Sequence, residues 1–274
     1  MTKAGNLEGI TINLSDFALF LSVMKIKEAY QNTLSIILDE RDLELEEVKA
    51  EQVVLNKSGK RAIRLDAWAK AKDSRQFDME MENNDDAETV KKRSRYYQGL
   101  LDTPVLKAGR ETKYKNLPST VIIFITQEDI FKRDLAKYTF TQQCEEVKNL
   151  KLEDGTKKIF LNMTSKNGSK ELVSLLQYMK NTSLDNPEIE VRDERLCNLD
   201  RIVKEVKESE EWEAVEMNIL DIGIERGREE GREQGEQRVN RLIQLLLERS
   251  RLDEIAKMAE DKELQKKLFE EFGI

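Results

Sequence analysis

The chain has 274 residues, of which 39% are hydrophobic and 36% charged, and its formal net charge is −8. The length predicts one large domain or a domain with an appendage. The sequence contains no apolar run of about 18 residues, which a membrane span needs. Because the chain contains no histidine, Ser-His-Asp catalysis, Cys-His catalysis and His-ligated zinc are excluded. Acid-base or metal chemistry must run on carboxylates, lysines and water.

The negative net charge argues against nucleic-acid binding through the overall field of the protein, although it leaves room for a local basic patch. The first residues lack the apolar core of a signal peptide, so the predicted compartment is the cytoplasm.

Residues 1–13 are predicted to be a flexible leader, and helical and extended patterns alternate after them. Ser15 and Asp16 are candidate N-caps for the first helix. The predicted elements, in chain order, are a helix from Leu14, a strand near Val48 to Leu55, a β-hairpin over 61–82, a helix from Glu88 to Leu101, strands over 121–125 and 158–163, and a helix from Lys170 to Lys180. This order predicts an α/β protein, with an α+β mixed sheet and helices on both of its sides.

The predicted domain covers residues 14–182 and ends before Pro187, which is a strong breaker of regular structure. A helical connector is predicted over 183–222. It is followed by a charged segment over 223–238, in which glycine recurs every four residues, and by a small helical hairpin over 239–274. The glycine-spaced segment is either a surface for self-association, which would make the protein a homo-oligomer through its tail, or a partly disordered linker.

Acidic residues alternate along the predicted hairpin. Phe77, Met79 and Met81 share one face of the second strand, so Asp78, Glu80 and Glu82 share the other. If the two strands pair in the simplest register, Asp66 lies beside Glu80. Two or three carboxylates on one side of a sheet need a compensating positive charge, and hard divalent cations bind oxygen ligands. Alternating acids on a solvated strand face are the alternative explanation.

Five ordered stretches resemble the PD-(D/E)XK nucleases, in particular the bacterial branch of recombination-promoting (Rpn-like) nucleases and putative transposases. The resemblance covers about Asp16 to Asn181 and, more loosely, the glycine-spaced tail. The stretches are the acidic residues of Arg64 to Asp66 with Phe77 to Glu82, then Arg95 to Gln98, Val121 to Thr126, Tyr138 to Phe140, and Asp154 to Asn162.

The resemblance implies a restriction-endonuclease-like core with a C-terminal helical tail, and a DNA endonuclease that depends on Mg²⁺ or Mn²⁺. Asp66 and Glu80 would hold the metal and act in catalysis, with Glu82 as a third acid. Glu82 departs from the family pattern, which has lysine or glutamine at this position. Either a basic residue of the following helix supplies the missing positive charge, with Lys91, Lys92 and Arg95 as candidates, or the chain is a weakened or inactive relative that binds DNA or a protein.

The three basic candidates could also contact the DNA backbone, since Lys91 and Arg95 are four residues apart and share a helix face. An ordinary solvated helix face is the alternative. Glu28 on the first helix is a candidate accessory acid, because some nucleases of this fold use one.

Overall fold

A six-stranded mixed sheet forms the centre of the fold, in the strand order β1-β2-β3-β4-β6-β5. The computed structural model describes residues 11–54, 63–83, 86–103, 105, 113–249 and 251–273, and the side chains of 220–236, 256, 259 and 260 lie outside this description. The strands are β1 Leu45–Val54, β2 Ile63–Ala71, β3 Gln76–Glu82, β4 Thr120–Thr126, β5 Lys137–Phe140 and β6 Thr156–Asn162. The leader over residues 1–13 lies mostly outside the described residues.

Strands β1, β2 and β3 pair antiparallel in succession. Strands β3, β4 and β6 are parallel to one another, and β5 pairs antiparallel with β6. The predicted mixed α/β class is therefore confirmed. β4 is buried along its whole length, as its unbroken apolar run predicts for a strand covered on both faces.

Eight described α-helices accompany the sheet: α1 Phe17–Met24, α2 Lys27–Leu38, α3 Ala87–Asp102, α4 Lys170–Lys180, α5 Glu194–Lys207, α6 Glu210–Glu248, α7 Leu252–Glu260 and α8 Lys262–Phe272. The predicted first helix is divided, because Ile26 takes an extended conformation between α1 and α2. Helix α3 connects the parallel strands β3 and β4, which no short turn can join. Its N-cap Asp86 accepts hydrogen bonds from the backbone amides of Glu88 and Thr89 at 2.8 and 3.0 Å.

Helix α3 packs on the sheet face that carries the acidic residues of the hairpin. Val90 and Leu101 of the helix belong to one hydrophobic cluster with Trp68 of β2, Phe124 of β4 and Phe160 of β6. Helices α1, α2, α4 and α5 form a second group, in which α2 contacts each of the other three. α3 is therefore the helix that determines the surroundings of the acids.

The first folded unit extends to Ser209, beyond the boundary predicted near Pro187. Helix α5, which falls in the connector predicted from the sequence, is anchored to the unit by two buried contacts. The Arg195 guanidinium donates to the backbone carbonyl of Ser35 at 3.1 Å, and the Tyr178 hydroxyl donates to Asp200 at 3.0 Å. The first unit includes α5 because the apolar stripe of this helix is buried. Pro187 lies in a connection inside the unit.

A second unit comprises Glu210 to Ile274. Helix α6 continues without a break through the glycine-spaced segment 223–238, which is therefore helical backbone and not a separate element. The predicted terminal hairpin consists of the end of α6 with α7 and α8, around the buried side chains Leu242, Leu246, Met258 and Leu268. Among the described residues, none of the helices has the length and apolarity needed to cross a membrane.

Ending the chain at Asp221 should leave the first unit folded, because that unit extends only to Ser209 and makes its own hydrophobic core. We expect cooperative thermal unfolding by circular dichroism within a few degrees of the unfolding temperature of the full chain. Loss of cooperative unfolding would contradict this division. A light-scattering mass of both chains also tests self-association through the tail, which is rejected if truncation leaves the oligomeric state unchanged.

Candidate functional site

The hairpin of β2 and β3 brings Asp66 and Glu80 together. The backbone pairing of the strands includes Trp68 with Asp78 and ends at Ala67 with Met79, and beyond that point the contacts between the strands run through the side chains of Asp66 and Glu80. The backbone amide of Asp66 donates to Oε1 of Glu80 at 2.8 Å, and the amide of Met81 donates to Oδ2 of Asp66 at 3.1 Å. Each carboxylate is thus held by an amide of the opposite strand, and the adjacency expected from the sequence is present.

The four acids of this face are buried, not solvated. The exposed fractions are 8% for Asp66, 0% for Asp78, 1% for Glu80 and 8% for Glu82. Acidic side chains are almost never this buried unless they are paired, because transfer of a carboxylate out of water is costly. The simple explanation of a solvated acidic strand face therefore does not apply.

Arg93 of α3 supplies a positive charge to these acids. Its Nη2 donates to Oε2 of Glu80 at 3.0 Å, and its Nη1 donates to Oε2 of Glu82. Nη2 also lies 3.3 Å from the hydroxyl of Tyr97, and the guanidinium stands over the rings of Phe124 and Tyr97, 5.3 and 5.4 Å from their centroids. One planar guanidinium thus joins two carboxylates that are two residues apart on β3.

Burial raises the pKa of three of the acids. The pKa of Asp66 rises to about 6, mainly through desolvation. The pKa of Glu80 rises to about 8, through desolvation and then through the negative charge of Asp66, while its hydrogen bond from the Asp66 amide and the charge of Arg93 act in the opposite direction. Desolvation and the charges of Glu80 and Asp66 raise the pKa of Asp78 well above its ordinary value.

Asp78 is the buried acid that the sequence analysis did not assign to the site. Among the described residues, no donor reaches either of its carboxylate oxygens. The alternation of β3 places Asp78 on the same face as Glu80, so this signal was present in the sequence. Only the three-dimensional structure shows that none of the described neighbours donates a hydrogen bond to its carboxyl.

Tyr30 of α2 lies close to the same group. Its side chain is fully buried, and its hydroxyl donates to the backbone carbonyl of Ala67 at 3.1 Å. Burial, followed by the charges of Asp78 and Glu80, raises the pKa of this hydroxyl well above its ordinary value. Tyr30 therefore remains neutral and adds no further negative charge beneath the acids.

The basic residues proposed from the sequence do not contact the acids. Lys91 lies over the ring of Phe131, with its Nζ 4.7 Å from the centroid. Lys92 is exposed and pairs with Glu88 of the same helix, and Arg95 is exposed. Arg93 takes the position next to the acids because it lies three residues after the buried Val90, on the inner side of α3. Helical spacing could have identified it.

The candidate accessory acid, Glu28, does not join the site. It lies on the protein surface, where its carboxylate accepts from Arg201 of α5 at 2.8 Å. Both side chains are about half exposed, at 54% for Glu28 and 48% for Arg201. Glu28 therefore acts in a surface ion pair between α2 and α5.

The oxygen donors of the acidic cluster fit a hard divalent cation in chemistry. Mg²⁺ commonly uses one or two carboxylates and completes its shell with water and substrate phosphates, and Asp66 and Glu80 meet that requirement. Within the part of the chain that the structure describes, no group of three or more His, Cys, Asp or Glu side chains is arranged to hold a metal ion. Glu82, the expected third ligand, instead pairs with Arg93.

Comparisons of the chain with protein-family models, with curated proteins and with solved structures found no match. The structure shows a mixed α/β fold and a buried group of carboxylates.

The raised pKa values predict that stability falls as the pH rises. From about pH 4 upward the folded protein keeps protons that the unfolded chain has released: on Asp66 up to its pKa of about 6, on Glu80 up to its pKa of about 8, and on Asp78, whose pKa is also raised. The free energy of unfolding should therefore decrease over this range, by about 1 kcal/mol or more. Urea unfolding in EDTA at several pH values measures it.

Asp78→Asn should flatten this pH dependence, because the amide replaces a carboxyl that must lose its proton inside the fold. Asp185→Asn is the matched control, since the side chain of Asp185 is 95% exposed. A stability of the wild-type protein that stays constant or increases from pH 5 to pH 9 would contradict the assignment of buried protons to this cluster.

Proposed function

We propose that the chain is a metal-dependent DNA endonuclease of the PD-(D/E)XK type, related to the transposase and recombination-associated branch of that superfamily. The observation that carries the proposal is the pair of Asp66 and Glu80, held side by side on neighbouring strands by amides of the opposite strand. Mg²⁺ or Mn²⁺ would bind between them, and the chain would act in the cytoplasm on DNA.

The energetic cost of the acidic cluster supports this proposal. A fully buried carboxyl without a donor among the described residues, such as Asp78, is costly to the stability of the fold. Buried groups with strongly shifted pKa values are typical of functional sites. A bound divalent cation would offset the negative charge of the cluster, so the site gains a favourable partner when it is loaded.

In phosphodiester hydrolysis, the residues near the cluster would have separate roles. Asp66 and Glu80 provide oxygen ligands that amide hydrogen bonds have already oriented. The cation, when bound, supplies a water of lowered pKa and a clamp for a phosphate oxygen. Arg93 provides a planar guanidinium beside the acids, suited to a phosphate. Lys91 and Arg95, both exposed on α3, could contact the DNA backbone.

A second candidate function is that of a non-catalytic relative that binds DNA or a protein. The observation that favours it is the ion pair of Arg93 with Glu80 and Glu82, since the guanidinium already places one positive charge beside two of the acids. Glu82 at the position of the lysine or glutamine of the family pattern points in the same direction. The two candidates differ in whether a metal ion ever reaches Asp66 and Glu80.

Nicking of supercoiled plasmid DNA in Mg²⁺ or Mn²⁺ tests the first candidate. We expect Glu80→Gln and Asp66→Asn to reduce the nicking rate at least about 100-fold, because each removes a charged ligand oxygen from the site. Glu190→Gln, which changes an exposed glutamate of a surface ion pair, is the matched control and should nick at the wild-type rate. EDTA should abolish nicking by all variants.

Equal nicking by wild-type protein and Glu80→Gln would show that this cluster is not the source of the activity. Absence of nicking, together with a DNA gel shift that persists in EDTA, would favour the non-catalytic candidate.

A further inference from the structure

The guanidinium of Arg93 pairs with the carboxylates of Glu80 and Glu82, and we call these three residues the clasp. The clasp places a positive charge beside the buried acids. We propose that Arg93 is a resident counter-cation of the acidic cluster and that it competes with a divalent metal ion for the carboxylate of Glu80. The inference rests on the proposed metal site and concerns how that site is filled. It assigns Arg93 the role of a positioning residue that sets the affinity of the cluster for a cation.

The contacts of Glu80 define the competition. One of its oxygens accepts from the Asp66 amide and the other from Arg93, at 2.8 and 3.0 Å. A metal ion that binds Glu80 together with Asp66 must share or replace these partners. A divalent ion and a guanidinium next to the same carboxylate also repel each other, and this repulsion is strong where water is largely excluded. The metal ion and the guanidinium of Arg93 therefore weaken each other's binding to the cluster.

The charge balance shows why a resident cation is useful. Four buried acids lie on the face of the sheet that α3 covers, and Asp78 has no donor among the described residues. Without a cation the cluster would lower the stability of the folded protein, since unpaired charges are costly to bury. Arg93 holds two of the acids through a forked guanidinium, whose geometry suits two carboxylate oxygens better than the single ammonium of lysine does.

Arg93 also makes contacts that do not involve the acids. The hydroxyl of Tyr97 lies 3.3 Å from Nη2, and the rings of Phe124 and Tyr97 lie beneath the guanidinium. Its side chain is 27% exposed, whereas that of Glu80 is 1% exposed. Arg93 thus has contacts with Tyr97 and Phe124 that do not involve Glu80, and its side chain is nearer to solvent than that of Glu80.

Glu82 has a defined part in this arrangement. It does not add a third ligand to the cluster but holds the other arm of Arg93. Because Glu82 follows Glu80 at the next position on the same face of β3, one guanidinium can reach both. The acid at this position thus keeps Arg93 near the cluster after its contact with Glu80 is broken.

Isothermal titration of Mn²⁺ into the full-length wild-type protein and Arg93→Gln tests the competition. We expect Arg93→Gln to bind Mn²⁺ about 10-fold more tightly or better, because the competing cation is gone. Arg201→Gln is the matched control, since Arg201 also bridges two glutamates, Glu28 and Glu205, but on the surface. It should bind Mn²⁺ within about twofold of the wild-type affinity.

A second measurement covers the case in which Arg93→Gln folds poorly. In EDTA its unfolding temperature should lie below that of the wild type, and Mn²⁺ should raise it by more than it raises the wild-type value. Arg93→Lys, which keeps the charge but lacks the fork, should bind Mn²⁺ with an affinity between those of the other two proteins.

Equal or weaker Mn²⁺ binding by Arg93→Gln would overturn the competition, even if the wild-type protein nicks DNA. Tighter binding by Arg93→Gln supports it, even if no protein nicks DNA and the endonuclease proposal fails. Absence of Mn²⁺ binding in both proteins would reject the competition and the metal site together.

Discussion

The buried negative charge under α3 is the constraint on which the site depends. Asp66, Asp78, Glu80 and Glu82 lie on one face of the sheet, where water cannot solvate them. Three kinds of partner can neutralise them: protons, the guanidinium of Arg93, or a metal ion. The raised pKa values of Asp66, Glu80 and Asp78 and the ion pairs of Arg93 are two consequences of this single condition.

The topology of the sheet creates the constraint and also supplies part of its solution. β3 has β2 on one side and the parallel strand β4 on the other, so its acids are enclosed by neighbouring strands. A parallel neighbour requires a crossover connection, and α3 is that connection. The helix that buries the acids is thus the same helix that carries Arg93 to them. Burial and charge compensation arise from one chain segment.

The proposed functions differ in which of the three partners is used during activity. An endonuclease would exchange Arg93 and protons for a metal ion at Asp66 and Glu80, whereas a non-catalytic binder would keep the clasp closed. In either case the structure starts from the same contact, in which Arg93 donates to one oxygen of the Glu80 carboxylate. The tail unit, with its long α6 helix, is a separate folded unit, and self-association through it is an independent hypothesis.

The sequence by itself predicted the hairpin with its neighbouring acids and the buried strand β4, but not the strand β5 or the division between α1 and α2. Alternation along 77–82 and the polar turn before it predict the hairpin, and an unbroken apolar run predicts the buried strand β4, since both signals are local. Only the tertiary structure decided that the acids are buried and that Asp78 has no donor among the described residues. Helical spacing from Val90 points to Arg93, but only the packing of α3 shows that its guanidinium reaches Glu80 and Glu82. Those outcomes depend on how α3 packs over the sheet and on strands distant in sequence, and no local pattern encodes that packing.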